Sequence, residues 1–154
     1  MKKVISLLLI LSLVMSMAAC GGKQEAPVSM DVNAVYESYS QYLPEMFCPD
    51  EMTMLNFLGI NPEDCAQYKV AICAEGMRAD EVWLIEAKDA ASLEKLQNLA
   101  KSRITSKLDE TISYVPDQYV IVEKAEVIVS GMYLALLISP DVDALKAGFE
   151  AALK

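Results

Sequence analysis

Two short runs, Val82-Trp83-Leu84-Ile85 and Leu134-Ala135-Leu136-Leu137-Ile138, are apolar at every position. A strand with one wet face alternates polar and apolar side chains, so an unbroken apolar strand needs cover on both faces. Any fold for this chain must therefore place material on two sides of one sheet. Each run sits inside a strand-strand-helix unit. In the first, 68–74 reads as a strand, Gly76-Met77-Arg78 as a turn and 79–87 as the partner strand. Asp89 then caps the longest helix, about 90–112. Its Leu93, Leu96, Ala100, Ile104, Leu108 and Ile112 recur at three and four, which marks one buried face, and Glu94, Lys95, Lys101 and Lys107 fall largely off it. In the second unit, 126–129 and 133–139 are strands around Ser130-Gly131. Asp141 caps a last helix that carries Leu145, Phe149, Ala152 and Leu153.

The N-terminal third is helical in short pieces. Asp31 caps a helix over about 32–43, with Val35, Tyr39 and Tyr42 at helical spacing, and Pro44 ends it. Asp50 caps a second, with Met54, Leu55 and Leu58 as its stripe and Gly59 as its C-terminal cap. Asn61-Pro62-Glu63-Asp64 reads as another cap and first turn. The expected fold is α+β: a two-layer sandwich, with a four-stranded antiparallel sheet (strand-strand-helix twice) and N-terminal helices. The helices of the two units lie on one face, and segments within 31–66 cover the other. A partner chain or an apolar ligand is the alternative cover. Trp83-Leu84-Ile85 with Asp89 and Leu93 lines up with Ala135-Leu136-Leu137, Asp141 and Leu145, as a pseudo-repeat or a coincidence of element order would give.

The leader is distinct from this domain. Met1-Lys2-Lys3 is a basic start, Val4 to Val14 is nearly all apolar, and Met17-Ala18-Ala19-Cys20 follows. Basic start, short apolar core and small residues at the cut make a secretory signal. A cysteine just after the cut is what a lipoprotein signal needs, because its thiol becomes the thioether to diacylglycerol. Met17 stands where Leu is more usual. The apolar core is short for a membrane span, which takes about 20 residues. The division is therefore 1–19 lipoprotein signal peptide, 20–30 lipidated Cys20 and flexible tether, and 31–154 a single α+β domain. Two or more acyl chains anchor stably where one does so only marginally. The expected location is the outer face of the bacterial cell membrane. Simple secretion and an uncleaved anchor are the alternatives.

Loss of residues 1–19 takes away two lysines and leaves 135 residues with a net charge of −11, against −9 for the whole chain. Such acidity offers nothing to nucleic acid and does not help membrane adhesion, so the lipid holds the domain unaided. The chain has no histidine. That removes His-based general bases, triads and His-ligated metals. The carboxylate pairs Asp50-Glu51, Glu63-Asp64, Asp80-Glu81 and Asp109-Glu110 read as solvated surface or helix-end charge. Cys48, Cys65 and Cys73 are an odd set with no CxxC spacing and read as unbridged. Met46, Cys48, Met52 and Met54 are soft donors of the kind that suits Cu(I), or else ordinary gap-filling side chains. Tyr114-Val115-Pro116-Asp117-Gln118-Tyr119 pins the bend after the long helix, with Pro116 restricting Val115. Tyr114, Pro116, Gln118 and Tyr119 are read as a structural corner in preference to a recognition site.

Several short motifs occur together: Leu43-Pro44-Glu45-Met46, Gly59-Ile60-Asn61-Pro62-Glu63-Asp64, Ala79-Asp80-Glu81 leading to Ala87-Lys88-Asp89, Tyr114-x-Pro116-x-Gln118-Tyr119, the strands around Ser130-Gly131, and Ile138-Ser139-Pro140-Asp141. In these the chain resembles a family of uncharacterised bacterial lipoproteins whose C-terminal domain is a domain of unknown function. The resemblance covers about residues 43–150. Met132 departs from it where a small polar residue is expected after Gly131. The resemblance implies a lipoprotein address and a single domain, and no activity or site residues. The resulting expectation is a membrane-anchored, non-enzymatic binding or envelope-complex module. It has no cofactor beyond the lipid on Cys20, and its partner is an envelope protein or a small ligand. A copper or redox protein using the Met and Cys residues is the alternative.

Overall fold

The computed structural model describes residues 29–154. The expected signal peptide, with Met17, Ala18, Ala19 and Cys20, and most of the expected tether fall outside the described residues. The fold is α+β, built on one five-stranded antiparallel sheet in the order β1-β2-β3-β5-β4. Its strands are β1 (Met46–Phe47), β2 (Cys65–Cys73), β3 (Glu81–Ala87), β4 (Glu126–Ser130) and β5 (Tyr133–Ile138). The expected sheet had four strands. The fifth is the two-residue β1, which pairs Met46 with Cys73 and Phe47 with Ile72 at the sheet edge. A strand of two residues has no alternation to read, so only the pairing reveals it.

The helices are α1 (Val32–Ser38), α2 (Glu51–Thr53), α3 (Ala90–Tyr114), α4 (Pro116–Val122) and α5 (Val142–Ala152). Asp31 accepts from the Asn33 and Ala34 amides at 2.9 and 3.2 Å, and Asp89 accepts from Ser92 at 2.8 Å. These caps satisfy amides that a helix start leaves without partners. Asp141 stands at the start of α5, but its side chain makes no cap bond. Its own amide donates to Ser139 Oγ instead. Asp50 caps α2 through the Thr53 amide at 2.8 Å. The chain then widens into one π turn, Met54–Leu58, closed by Gly59 at φ +71°. Helix α1 stops at Ser38, short of the expected 43, and the chain goes on as hydrogen-bonded turns, Ser40 N to Glu37 O and Tyr42 N to Tyr39 O. Tyr39 is buried, and its hydroxyl donates to the Leu145 carbonyl at 2.7 Å.

Both faces of the sheet are covered by this chain's own helices, so the layering is helix–sheet–helix instead of two layers. Trp83, Ile85, Leu134, Leu136 and Ile138 point to one side and pack with Leu96 and Ala100 of α3, Val122 of α4, and Met54, Leu58 and Ile60. Val82, Leu84, Tyr133, Ala135 and Leu137 point to the other and pack with Val32, Val35 and Tyr39 and with Val142, Leu145 and Phe149 of α5. The N-terminal segment is thus divided. Its first helix covers the second face together with α5, while 54–60 joins α3. No partner chain is required to explain the doubly apolar strands.

The same division removes the pseudo-repeat. A two-fold axis normal to the sheet between β3 and β5 exchanges these antiparallel neighbours but leaves each face where it was. Helices α3 and α5 lie on opposite faces, so that rotation does not relate the units. The alignment of Trp83 with Ala135 fails for the same reason, since a shift of one residue reverses the face of every side chain.

The contact between α1 and α5 depends on Gly148. A Cβ placed there would lie 2.9 Å from Tyr39 Cε1, whereas one at Gly76 meets nothing within 4 Å. Gly148→Ala is expected to destabilise the fold by about 1–2 kcal/mol, an overpacking cost of roughly 1–3 kcal/mol partly offset by better helix propensity. Thermal unfolding followed by circular dichroism measures it, with Gly76→Ala as the unaffected control.

Candidate functional site

The buried stripe of α3 changes character along its length. Leu96 and Ala100 are followed by the half-buried Arg103 and the buried Lys107 and Thr111, at spacings of four, three, four and four. The stripe is therefore apolar under the middle of the sheet and cationic near the start of β3. There it meets Glu81, which is 0% exposed. The Glu81 carboxylate accepts from Arg103 Nε at 3.0 and 3.1 Å, from Arg103 Nη2 at 2.9 Å and from Trp83 Nε1 at 2.8 Å. Lys107 Nζ lies 2.9 Å from Glu81 Oε2 and donates to the Ala79 carbonyl at 2.8 Å. Two cations thus share one carboxylate in a largely dry setting. Asp80, also 0% exposed, accepts instead from Arg78 Nε at 3.0 Å. That bond raises the basicity of the Arg78 guanidinium.

The pair Asp80-Glu81 is consequently not solvated surface charge, and Lys107 is not off the buried face of its helix. Both corrections have one cause. Opposite charges on β3 and α3 satisfy each other, and buried charge is tolerable only when paired and hydrogen-bonded. Among the described residues no buried side-chain nitrogen or oxygen lacks a partner.

Beside this cluster is a cavity of about 300 Å³ between the 76–79 turn and the end of α3, lined by Met77, Arg78, Lys107, Glu110, Thr111 and Tyr114 among others. Two roomier depressions lie elsewhere, one beside Tyr36 and Leu43 and one beside Lys95 and Leu99. Their walls are exposed or half-buried side chains only. The cavity at Lys107 is the one whose wall includes a buried charge.

The Tyr114–Tyr119 motif belongs to this site. Pro116 opens α4, and Gln118 Oε1 accepts the Ala79 amide at 2.9 Å. Ala79 is thus gripped on both sides, by Gln118 through its amide and by Lys107 through its carbonyl. Tyr114 stands out from the corner that it was expected to form. It is 83% exposed on the cavity rim, and Tyr119 is half-buried.

The soft-donor set is not brought to one point. Met54 is 1% exposed in the core and Met52 is 72% exposed at the surface. Met46 is half-buried in β1, and Cys48 is exposed. Cys48, Cys65 and Cys73 are free thiols. Burial, with Asp64 nearby, pushes the Cys65 thiol up to about 11, which keeps it protonated at neutral pH. Among the described residues no three His, Cys, Asp or Glu side chains group as metal ligands.

Reading α3 for apolar residues alone missed Arg103 and Lys107, and with them the partners of Glu81. The signal was available: continued from Leu96 and Ala100 at three and four, the stripe falls on Arg103, Lys107 and Thr111.

The family model described as Domain of unknown function (DUF4358) matches residues 33–139. The matched span holds β1 to β5 and the whole cavity wall, and leaves out α5. No curated protein and no solved structure matches the chain. The chain belongs to the DUF4358 family.

Proposed function

We propose that this member of the DUF4358 family is a lipid-tethered, non-enzymatic binding domain on the outer face of the bacterial cell membrane, with the cavity at Lys107 as its ligand site. The observation that carries the site is a cavity whose wall includes Lys107, the buried cation that pairs with Glu81 beside Arg103. Apolar side chains of similar volume would hold β3 to α3 at least as well, since burying ions costs several kcal/mol each. A charged wall beside an open cavity has a use that an apolar wall lacks: it orients a ligand. Both buried carboxylates are occupied by cations, which leaves neither poised as a general base.

The tether rests on Met17-Ala18-Ala19-Cys20. Nine residues lie between Cys20 and Met30, and the ten steps of an extended chain between them span at most about 35 Å. Met30 is 2% exposed and its amide donates to the Tyr133 hydroxyl at 3.0 Å, so the chain is already fastened to the sheet at that point. Cys20→Ala is expected to move the protein from the membrane to the soluble fraction, read by fractionation. Mass analysis of the wild-type N-terminus should show diacylglycerol on Cys20. An unmodified cysteine, or cleavage elsewhere, overturns the anchor.

The site is tested by a photoreactive amino acid at position 114 in the full chain in cells. Adducts are expected at 114 and not at position 98, on the outer side of α3. Equal labelling at both positions overturns it.

A further inference from the structure

We propose that the ligand of this cavity carries a carboxylate on an apolar or aromatic body. This rests on the cavity being the ligand site and names what it binds. The first support is the charge carried by the wall itself. The cavity lining has two cations, Arg78 and Lys107, and one carboxylate, the exposed Glu110. An anion seated between the two cations is attracted to both, more strongly beside a partly buried wall than in open water.

The second support is donor capacity. An ammonium has three N–H donors, and Lys107 uses two directions, toward Ala79 O and Glu81 Oε2. A guanidinium has five, and Arg78 directs Nε and Nη2 at Asp80 while remaining about a third exposed on the cavity wall. The two cations that line the cavity therefore both retain hydrogens for a ligand oxygen. Their own partners hold them in place, so little ordering is left for binding to supply.

The third is the rim. Met77 is 69% exposed and Tyr114 is 83% exposed, both at the cavity mouth. Large apolar side chains at the edge of a charged pocket suit a ligand that is anionic at one end and apolar at the other. Glu110 also lines the cavity from the outer face of α3. Together with the net charge of −9 it opposes a second negative charge, which favours a monoanionic carboxylate over a phosphate dianion.

The test uses three probes of one shape and different charge, phenylacetate, 2-phenylethanol and phenethylamine, titrated into the full chain in neutral detergent. Binding is followed by NMR shifts at Thr111 and Tyr114. Phenylacetate is expected to bind at least tenfold more tightly than the other two. Lys107→Met and Arg78→Gln are each expected to weaken it at least tenfold, while Lys95→Met, remote from the cavity, leaves it unchanged. Should Lys107→Met not fold, Arg78→Gln decides, because position 78 is about a third exposed and Gln keeps an amide donor for the buried Asp80. Preferential binding of phenethylamine or 2-phenylethanol at Tyr114 overturns the carboxylate inference and leaves the ligand site standing. Failure of all three probes to bind, or phenylacetate affinity unchanged in Arg78→Gln, also overturns the inference. The ligand site is then judged by the crosslink at position 114.

Discussion

Glu81→Ala is expected to lower stability by about 3–5 kcal/mol, the largest effect of any single charge removal in this domain. The loss is not the worth of one ion pair. Removal of the carboxylate leaves Arg103 and Lys107 facing each other without a counter-ion and takes the acceptor from Trp83 Nε1. Lys107 is held there by the packing of α3 on the sheet and does not reach water without disturbing the helix, while Arg103 is already about a quarter exposed. For a domain of this size the melting temperature should fall by roughly 10–20 °C. The reverse experiment isolates the cause. A triple variant, Glu81→Leu, Arg103→Leu and Lys107→Met, removes all three charges together and is expected to recover most of the loss, because apolar replacement of a whole buried ion cluster is commonly neutral or favourable. A loss under about 1 kcal/mol in Glu81→Ala would mean that the cluster is effectively solvated, and the cavity would lose its pre-organised wall.

Trp83→Ala is expected to cost about 3–5 kcal/mol by a different route. Trp83 is the largest fully buried side chain, 0% exposed between β5 and α3. Its removal leaves a void that neighbours held by sheet pairing cannot fill, with β2 on one side of β3 and β5 on the other. Trp83→Phe keeps most of the volume but loses the indole N–H that Glu81 accepts at 2.8 Å, so its cost should be about 1–2 kcal/mol. A double-mutant cycle between Trp83→Phe and Glu81→Gln, measured by urea unfolding, should give a coupling of about 0.5–3 kcal/mol. Additive effects would mean that the indole and the carboxylate are not one unit.

The elements legible in the sequence were those with long or self-consistent local signals. The stripe from Leu93 to Leu108, the Asp89 cap, the Ser130-Gly131 turn and the apolar runs of β3 and β5 all lie within a few residues of what they specify. The two apolar runs also announced that the sheet is covered on both sides. What they could not announce is which helix goes to which side. A connection out of Ala87 and one out of Ile138 look alike in sequence, yet α3 and α5 take opposite faces. Strand β1 was invisible for its brevity, and α1 was read too long because Tyr39 and Tyr42 continue its spacing while Tyr39 turns inward to Leu145.

The candidate site was hidden by a subtler effect. Lys107 and Arg103 look like surface residues on a helix because charge is usually exposed, and Asp80-Glu81 looks like a solvated pair for the same reason. Each reading is sound for a single residue and fails for the set, since the partners lie 22 and 26 positions apart and meet only when α3 folds back over β3. The Tyr114–Tyr119 motif was recognisable as unusual. Its role was not, because Gln118 acts on Ala79, which is 39 residues away.

NMR of the lysine side-chain ammonium groups in the full chain reads directly whether Lys107 is the fixed, charged wall proposed for the ligand cavity. Lys107 is expected to give a resolved, slowly exchanging ¹H–¹⁵N ammonium signal at neutral pH that Glu81→Gln abolishes and that phenylacetate shifts more than any other lysine signal. A Lys107 ammonium that exchanges as fast as the exposed lysines, or one that phenylacetate leaves unmoved, would mean that Lys107 is not such a wall.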